Sequence, residues 1–306
     1  MQENPPYIVA ALYHFAKFDR YESFKPELEA LCRDAGLKGT LLLASEGING
    51  TVAGPRQGID RLIAFLHAQP EFAHLEHKES WADKEPFLRM KVRLKKEIVT
   101  MGVPGTDPTK IVGTYVDPRD WNDLISDPDT VVVDTRNDYE YAIGTFEKAL
   151  DPHTRTFREF PGWVRRHDNE LKGKKIAMFC TGGIRCEKAT ALMLELGVED
   201  VYHLQGGILN YLQQVPAGEN RWQGECFIFD TRVALDRDLA EGGYVQCHAC
   251  RRPLSNEDLA SSDYREGVSC PKCIDTLDDD REGRLAERAK QVALAERRGE
   301  KHIGPR

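Results

Sequence analysis

The segment Cys180-Thr181-Gly182-Gly183-Ile184-Arg185-Cys186-Glu187-Lys188-Ala189 holds the residues best suited to covalent chemistry. The apolar run Ile176-Ala177-Met178-Phe179 leads into it as a strand. A helical pattern from Lys188 to Gly197 leads out, so Cys180 falls at a strand-to-helix turn. Two glycines let that turn bend tightly and aim successive N–H groups inward. Helix N-termini and cationic neighbours favour thiolate over thiol. With Arg185 close behind, Cys180 reads as a reactive sulfur and not as an inert buried one. The bound anion is a thiolate, a persulfide or a small oxyanion. Only four residues separate Cys180 from Arg185. A phosphatase needs the wider ring of C-x5-R around a tetrahedral phosphate, so this shorter loop suits one extra sulfur atom. Cys186 admits two roles: a resolving thiol that attacks an oxidised Cys180, or a small packing residue.

A second set of cysteines has metal-ligand spacing. Cys247-His248-Ala249-Cys250 and Cys270-Pro271-Lys272-Cys273 are two C-x2-C knuckles nineteen residues apart. Four thiolates at that spacing match a closed tetrahedral zinc site, structural and without an open catalytic position. The alternative is four reduced cysteines in a metal-free lobe. Cys226 is left over as a packing residue. A third pattern is electrostatic. Arg89, Lys91, Arg93 and Lys95 alternate with Met90, Val92 and Leu94. Period two places the four cations on one strand face, where phosphate contacts explain a single-sign stripe better than a solvated face does.

The elements that must position these groups fall into four regions. Residues 1–115 read as a ferredoxin-like β-α-β-β-α-β unit. Its expected strands are Tyr7 to Phe15, Gly39 to Ala44, a third reached through the Asn49-Gly50 turn, and a fourth over Phe87 to Leu94. Its helices centre on Phe24 to Cys32 and Ile59 to Gln69. Asp107 to Pro118 reads as a linker. Residues 116–217 alternate strand and helix, which predicts an α/β domain with a parallel sheet and Cys180 at a strand's carboxyl end. Residues 218–280 form the Cys-rich lobe, and 281–306 a charged tail of helical propensity.

Composition narrows the class. The chain has 306 residues, 30% of them charged, and a net charge of −8. That balance excludes a uniformly basic nucleic-acid coat but leaves local patches free to bind RNA. The opening residues lack a signal-peptide pattern, and no apolar run is long enough to span a membrane. The eight cysteines cluster by motif, as in a reducing cytoplasm. No dinucleotide fingerprint G-x-G-x-x-G opens a helix, so no nicotinamide or flavin site is expected, and no defensible iron triad is found.

The Cys180 loop closely resembles that of the rhodanese superfamily. The strand end Asp134-Thr135-Arg136, the acidic start Asp138-Tyr139-Glu140-Tyr141 and the turn Gly206-Gly207-Ile208 support the resemblance. That likeness implies a persulfide on Cys180, with Arg185 steadying the loop's anion and Asp134 and Arg136 supporting the fold. The whole chain resembles the rhodanese-domain tRNA uridine(34) hydroxylases. Ala44 to Gly54, Lys96 to Gly102, Cys180 to Glu187 and the two knuckles carry this wider likeness. It implies oxygen-dependent conversion of the wobble uridine to 5-hydroxyuridine. Molecular oxygen is then the co-substrate and the tRNA anticodon arm the partner, with no membrane or DNA. A thiosulfate-type sulfurtransferase is the rival reading from the same loop. A vestigial, non-catalytic RNA-binding protein is disfavoured because the loop cysteine is present.

Overall fold

The computed structural model describes residues 7–300. The opening residues 1–6 and the end of the charged tail, 301–306, lie outside the described residues. Among the described residues no helix is long and apolar enough to cross a membrane.

The N-terminal unit comprises β1 (Tyr7–Phe15), α1 (Tyr21–Asp34), β2 (Lys38–Ala44), β3 (Gly47–Gly54), α2 (Arg56–His67), β4 (Glu76–Ala82) and β5 (Met90–Leu94). They make one sheet in the order β4-β1-β3-β2-β5. α1 buries Phe24, Leu28 and Cys32, and α2 buries Ile59, Leu62, Ile63 and Leu66. These residues recur at helical spacing, so each helix lays one stripe on the sheet. The core they form takes Ile8, Ala10, Leu12, Leu41, Leu43, Ile48 and Val52 from the strands. The other sheet face carries no helix of its own.

Three expectations about this unit need correction. Asn49-Gly50 is not a hairpin turn. Both residues lie inside β3, opposite Leu42 and Leu41 of β2. The turn falls at Ser45-Glu46 instead. Gly50 is there because a side chain would strike the Thr40 carbonyl, and the Asn49 amide donates to Ile98 O at 2.8 Å. The fourth ferredoxin strand is β4, which the sequence conceals. The Phe87-to-Leu94 segment supplies β5 instead, a fifth strand running parallel to β2 at the sheet edge. β4 reads Glu-His-Lys-Glu-Ser-Trp-Ala, with no apolar alternation, because its partly buried side chains face polar partners. Leu94 also departs from the expected apolar face of that segment. Val92 is buried and Met90 packs beside the core, while Leu94 is 41% exposed.

The central unit comprises β6 (Thr114–Val116), α3 (Pro118–Ser126), β7 (Thr130–Asp134), α4 (Asp138–Tyr141), β8 (Gly144–Phe146), α5 (Phe160–Arg166) and α6 (Asp168–Leu171). β9 (Lys175–Phe179), α7 (Ile184–Glu195), β10 (Val201–Leu204) and α8 (Gly207–Gln214) follow. The parallel sheet runs β6-β10-β9-β7. β9 is central and covered on both faces. Ile176 and Met178 enter one core with Phe160, Trp163 and Leu192. Ala177 and Phe179 enter the other with Trp121, Phe146, Tyr211 and Trp222. An unbroken apolar run is what a strand buried on both faces requires.

The remaining chain has little regular structure. β11 (Trp222–Gly224) pairs with β8, β12 (Cys226–Phe227) with β13 (Ala234–Leu235), and β14 (Val245–Gln246) with β15 (Pro253–Leu254). α9 (Asn256–Ala260) and α10 (Asp279–Arg297) complete it. α10 buries only Ala295 and is otherwise solvated.

Candidate functional site

β9 delivers Cys180 to its carboxyl end, and α7 starts four residues later with Gly183 as its N-cap at φ 105°. Gly183 N–H donates to Cys180 Sγ at 3.1 Å. The start of α8 braces the same loop from behind. Ile208 N–H and Leu209 N–H donate to the carbonyls of Cys180 and Thr181, and a side chain at Gly207 would collide with the loop backbone. This contact explains Gly207, and the left-handed φ of 73° at the α8 N-cap explains Gly206.

Burial would raise the Cys180 pKa, but it is outweighed. The Cys186 thiol, the Arg185 charge and the N–H groups of Cys186 and Gly183 all favour the anion, and the pKa falls to about 5. Cys186 moves the opposite way. Burial and its bond to the Cys180 sulfur hold it well above the usual thiol range. It is therefore the proton donor of the pair, with Thr135 Oγ1 at 3.5 Å on its other side.

Arg185 does not point its hydrogen bonds at the sulfur. Its guanidinium makes a buried two-pronged pair with Glu140, at 2.7 and 2.8 Å, and reaches Thr181 Oγ1 at 3.3 Å. Arg185 thus acts on Cys180 through charge while anchoring the loop to α4. Glu140 was not singled out from sequence. Its signal was the capping box with Asn137, whose N–H the Glu140 carboxylate accepts at 3.1 Å. Asp134 and Arg136 form a fully buried pair at the end of β7. Arg136 Nη2 also donates to Gly144 O, and its guanidinium lies over the rings of Phe179 and Trp222. The pair braces the strand beneath the loop.

The bare face of the N-terminal sheet closes over this loop. The Tyr13 hydroxyl donates to Glu187 Oε1 at 2.7 Å, and Lys78 Nζ donates to Gly182 O at 3.3 Å. Burial raises the Glu187 pKa. Lys188, 2% exposed, joins Glu46 at 2.8 Å and Glu97 at 2.7 Å. Glu46 in turn accepts from Ile98 N–H. The blocks at 44–54 and 96–102 and the Cys180 loop therefore meet around one ammonium.

Between sheet face and loop lies a cavity of about 540 Å³. Cys180 and Thr181 form part of its floor, Thr40, Thr51 and Ser80 part of its wall, and Phe229 part of its rim. Phe229 is 61% exposed. Next to it, Asp230 and Arg232 repeat the geometry of Asp134 and Arg136. Arg232 Nε and Nη2 donate to the Asp230 carboxylate at 3.0 and 2.6 Å. Its Nη1 reaches Ser80 Oγ and Trp81 O on β4, both at 3.0 Å. The sequence signal was present, since Asp-Thr-Arg occurs at 134–136 and again at 230–232.

The basic stripe lies at the edge of the same face. Lys91 and Arg93 sit opposite Thr40 and Leu42 in register, and Lys95 lines the cavity. Arg89 precedes the strand, and its charge, with those of Arg93 and Arg251, adds to burial in lowering the Lys91 pKa. Among the described residues none of the four makes an ion pair.

Cys247, Cys250, Cys270 and Cys273 converge, with all four sulfurs within 4.8 Å of one another. Two of the separations are 3.7 and 3.5 Å. A zinc tetrahedron with Zn–S bonds of about 2.3 Å has edges of about 3.8 Å, so the residues fit the metal. Cys226 is buried in the core beside Trp222, and burial raises its pKa to about 12.

Family models match two stretches: an acylphosphatase-like domain of the UPF0176 type over residues 7–98, and a rhodanese-like domain over residues 117–214. Among solved structures, the rhodanese-like domain of an Anabaena protein aligns with 36% of this chain and 78% of its own, at 19% identity and TM-score 0.30. An acylphosphatase from Coxiella burnetii aligns with 30% of this chain and all of its own, at 15% identity and TM-score 0.25. Curated relatives match far more extensively. A tRNA uridine(34) hydroxylase of Agrobacterium fabrum is 60% identical over 97% of this chain and 95% of its own length. Those of Rhizobium etli and Brucella anthropi are each 61% identical over 98% of this chain, and over 97% and 99% of their own. At that identity and coverage, the chain belongs to the tRNA uridine(34) hydroxylase family.

Proposed function

We propose that this chain hydroxylates C5 of uridine 34 in the tRNA anticodon arm, forming 5-hydroxyuridine in the cytoplasm with molecular oxygen as co-substrate. One observation carries the reading: the buried Cys180 and the loop around it line a walled cavity of about 540 Å³, and do not sit on a shallow surface loop. That volume is in the range of pockets that enclose a small organic ligand, and a thiosulfate-sized donor would leave most of it empty. Phe229 offers a ring for stacking a base. Arg89, Lys91, Arg93 and Lys95 hold backbone phosphates at the cavity's edge.

The cradle holds sulfur as an anion, a thiolate or its persulfide. In the chemistry proposed here, Cys180 Sγ adds to C6 of uracil and the C5–C6 π pair moves toward O4. C5 then bonds to an electrophilic oxygen. Loss of the C5 proton expels the thiolate and restores the ring. Replacing C5–H by C5–OH is a two-electron oxidation. With dioxygen as oxidant, the second oxygen atom leaves as water and takes two electrons and two protons. Once expelled from C6, the Cys180 thiolate takes the second atom of the dioxygen bonded at C5 as a sulfenic acid, and the Cys186 thiol attacks that sulfur to close the disulfide and release water; Cys186 gives one proton and solvent the other, which gives Cys186 its resolving role. The sum is uridine, dioxygen and two thiols going to 5-hydroxyuridine, water and a disulfide. Arg185, held by Glu140, keeps the sulfur anionic. Asp134 and Arg136 hold the strand below. Zinc on the four knuckle cysteines would supply structural cross-linking and no chemistry at the base.

The test is nucleoside mass spectrometry of tRNA incubated with the protein. Cys180→Ser is expected to form no 5-hydroxyuridine while binding tRNA within about twofold of the unsubstituted protein. Full activity in Cys180→Ser sinks the scheme. Rapid thiosulfate-to-cyanide turnover without any 5-hydroxyuridine would favour the sulfurtransferase reading.

A further inference from the structure

A second cationic groove lies beside the cavity, and the function above does not use it. It has a volume of about 510 Å³ and lies between residues 101–104 and helix α5. Arg158, Arg165 and Arg166 line it, together with Glu159. All three arginines are exposed. Among the described residues none of them has an ion-pair partner, although the chain is acidic overall and forms nineteen ion pairs through other basic side chains. Glu159 is already engaged. Its carboxylate accepts from Arg155 N–H at 3.0 Å and Thr156 Oγ1 at 3.3 Å. It leaves a net positive groove.

Two chain segments connect this groove to the cavity. Val99 and Thr100 line the cavity, and Met101 and Gly102 line the groove. Thr156 and Phe157 line the cavity, and Arg158 and Glu159 line the groove. The two spaces are therefore neighbours along both shared walls. The segment that begins at the basic strand β5 passes Lys95, walls the cavity through Thr100, and ends in the arginine groove. Unpaired cations flank the cavity at both ends of that one segment.

We propose that the Arg158, Arg165 and Arg166 groove binds backbone phosphates of the RNA strand that presents its base to Cys180. The strand enters along β5, turns its base into the cavity and leaves across α5. Arginine suits this role because its planar fork meets two phosphate oxygens at once. The inference rests on the reading of the cavity as a tRNA site, and it adds a contact surface on the rhodanese unit itself.

The experiment measures tRNA binding against salt, and steady-state hydroxylation, for the full chain carrying Arg158→Gln, Arg165→Gln and Arg166→Gln together. All three side chains are exposed, so the fold is expected to persist, and the rate of Cys180 alkylation serves as its check. Binding is expected to weaken on the order of tenfold near physiological salt. The slope of log affinity against log salt should become shallower by about two, from three lost single-strand contacts at roughly 0.7 each. KM for tRNA should rise with kcat little changed. The triple Lys variant, which keeps the charges, should keep most of the slope. If affinity, slope and KM match those of the unsubstituted protein while that protein makes 5-hydroxyuridine, the groove is no RNA site. If the unsubstituted protein neither binds nor hydroxylates tRNA, the parent reading fails first and takes the groove with it.

Discussion

Cys180 and Cys186 differ by six positions in sequence and by the full width of thiol chemistry in state. A pKa of about 5 leaves Cys180 almost wholly thiolate at neutral pH, where a free cysteine is only a few per cent ionised. Cys186 stays protonated because a second buried anion beside the first would be too costly. The sign gives a direct prediction. Thiolate is the deprotonated form, so alkylation of Cys180 by a small haloacetamide should be at its plateau above about pH 6. It should fall by half near pH 5, with Cys186 unmodified throughout. Peptide mass spectrometry after timed alkylation reads both sites. A profile with its midpoint near pH 8 would show that the cradle does not stabilise the anion.

At the level of elements, legibility followed burial pattern. β9 could be read from its unbroken apolar run because both of its faces are covered by the same polypeptide. α1 and α2 could be read because each shows one stripe to one core. β4 could not, because its inner face meets another unit through Lys78 and Ser80 and so looks like a surface segment. Asn49-Gly50 misled for a related reason. The dipeptide favours a tight turn locally, but here Gly50 serves close strand approach and Asn49 bonds the distant Ile98 carbonyl. Of the site, Cys180 and the knuckle cysteines were legible from spacing. Glu140 and Arg232 were legible only in part, because a capping box and a repeated Asp-Thr-Arg mark them locally while their partners Arg185 and β4 lie far away in sequence. The knuckle lobe makes the clearest element-scale prediction. Its cluster consists of the four cysteines, Leu254 and a few partly buried neighbours, which is too little apolar surface to hold it alone. The purified protein should carry one zinc per chain by elemental analysis, and Cys250→Ser should lose it. Hydrogen exchange over residues 245–277 should then quicken while β9 and α7 keep their protection. Parent protein without zinc would leave the lobe's order unexplained and overturn the assignment.

On the scale of the whole molecule, the cavity exists only because three regions meet. The sheet face supplies one wall, the rhodanese loop the floor, and residues 228–239 the rim. Arg232 is the residue that ties rim to wall. It closes on Asp230 within its own loop and reaches Ser80 and Trp81 of β4 with its remaining nitrogen. Lysine at this position keeps the charge but lacks the fork, so it can serve Asp230 or β4 but not both. Arg232→Lys should therefore loosen the rim that carries Phe229 without disturbing the thiolate cradle on the far side of the cavity. The expected result is a KM for tRNA raised about tenfold, equivalent to losing roughly one charge-assisted hydrogen bond of ~1.4 kcal/mol. The Cys180 alkylation profile should be unchanged, which separates a lost rim from a damaged loop. Unaltered KM in Arg232→Lys would mean that the rim positions no part of the substrate. The cavity would then be a two-walled cleft between the sheet face and the loop.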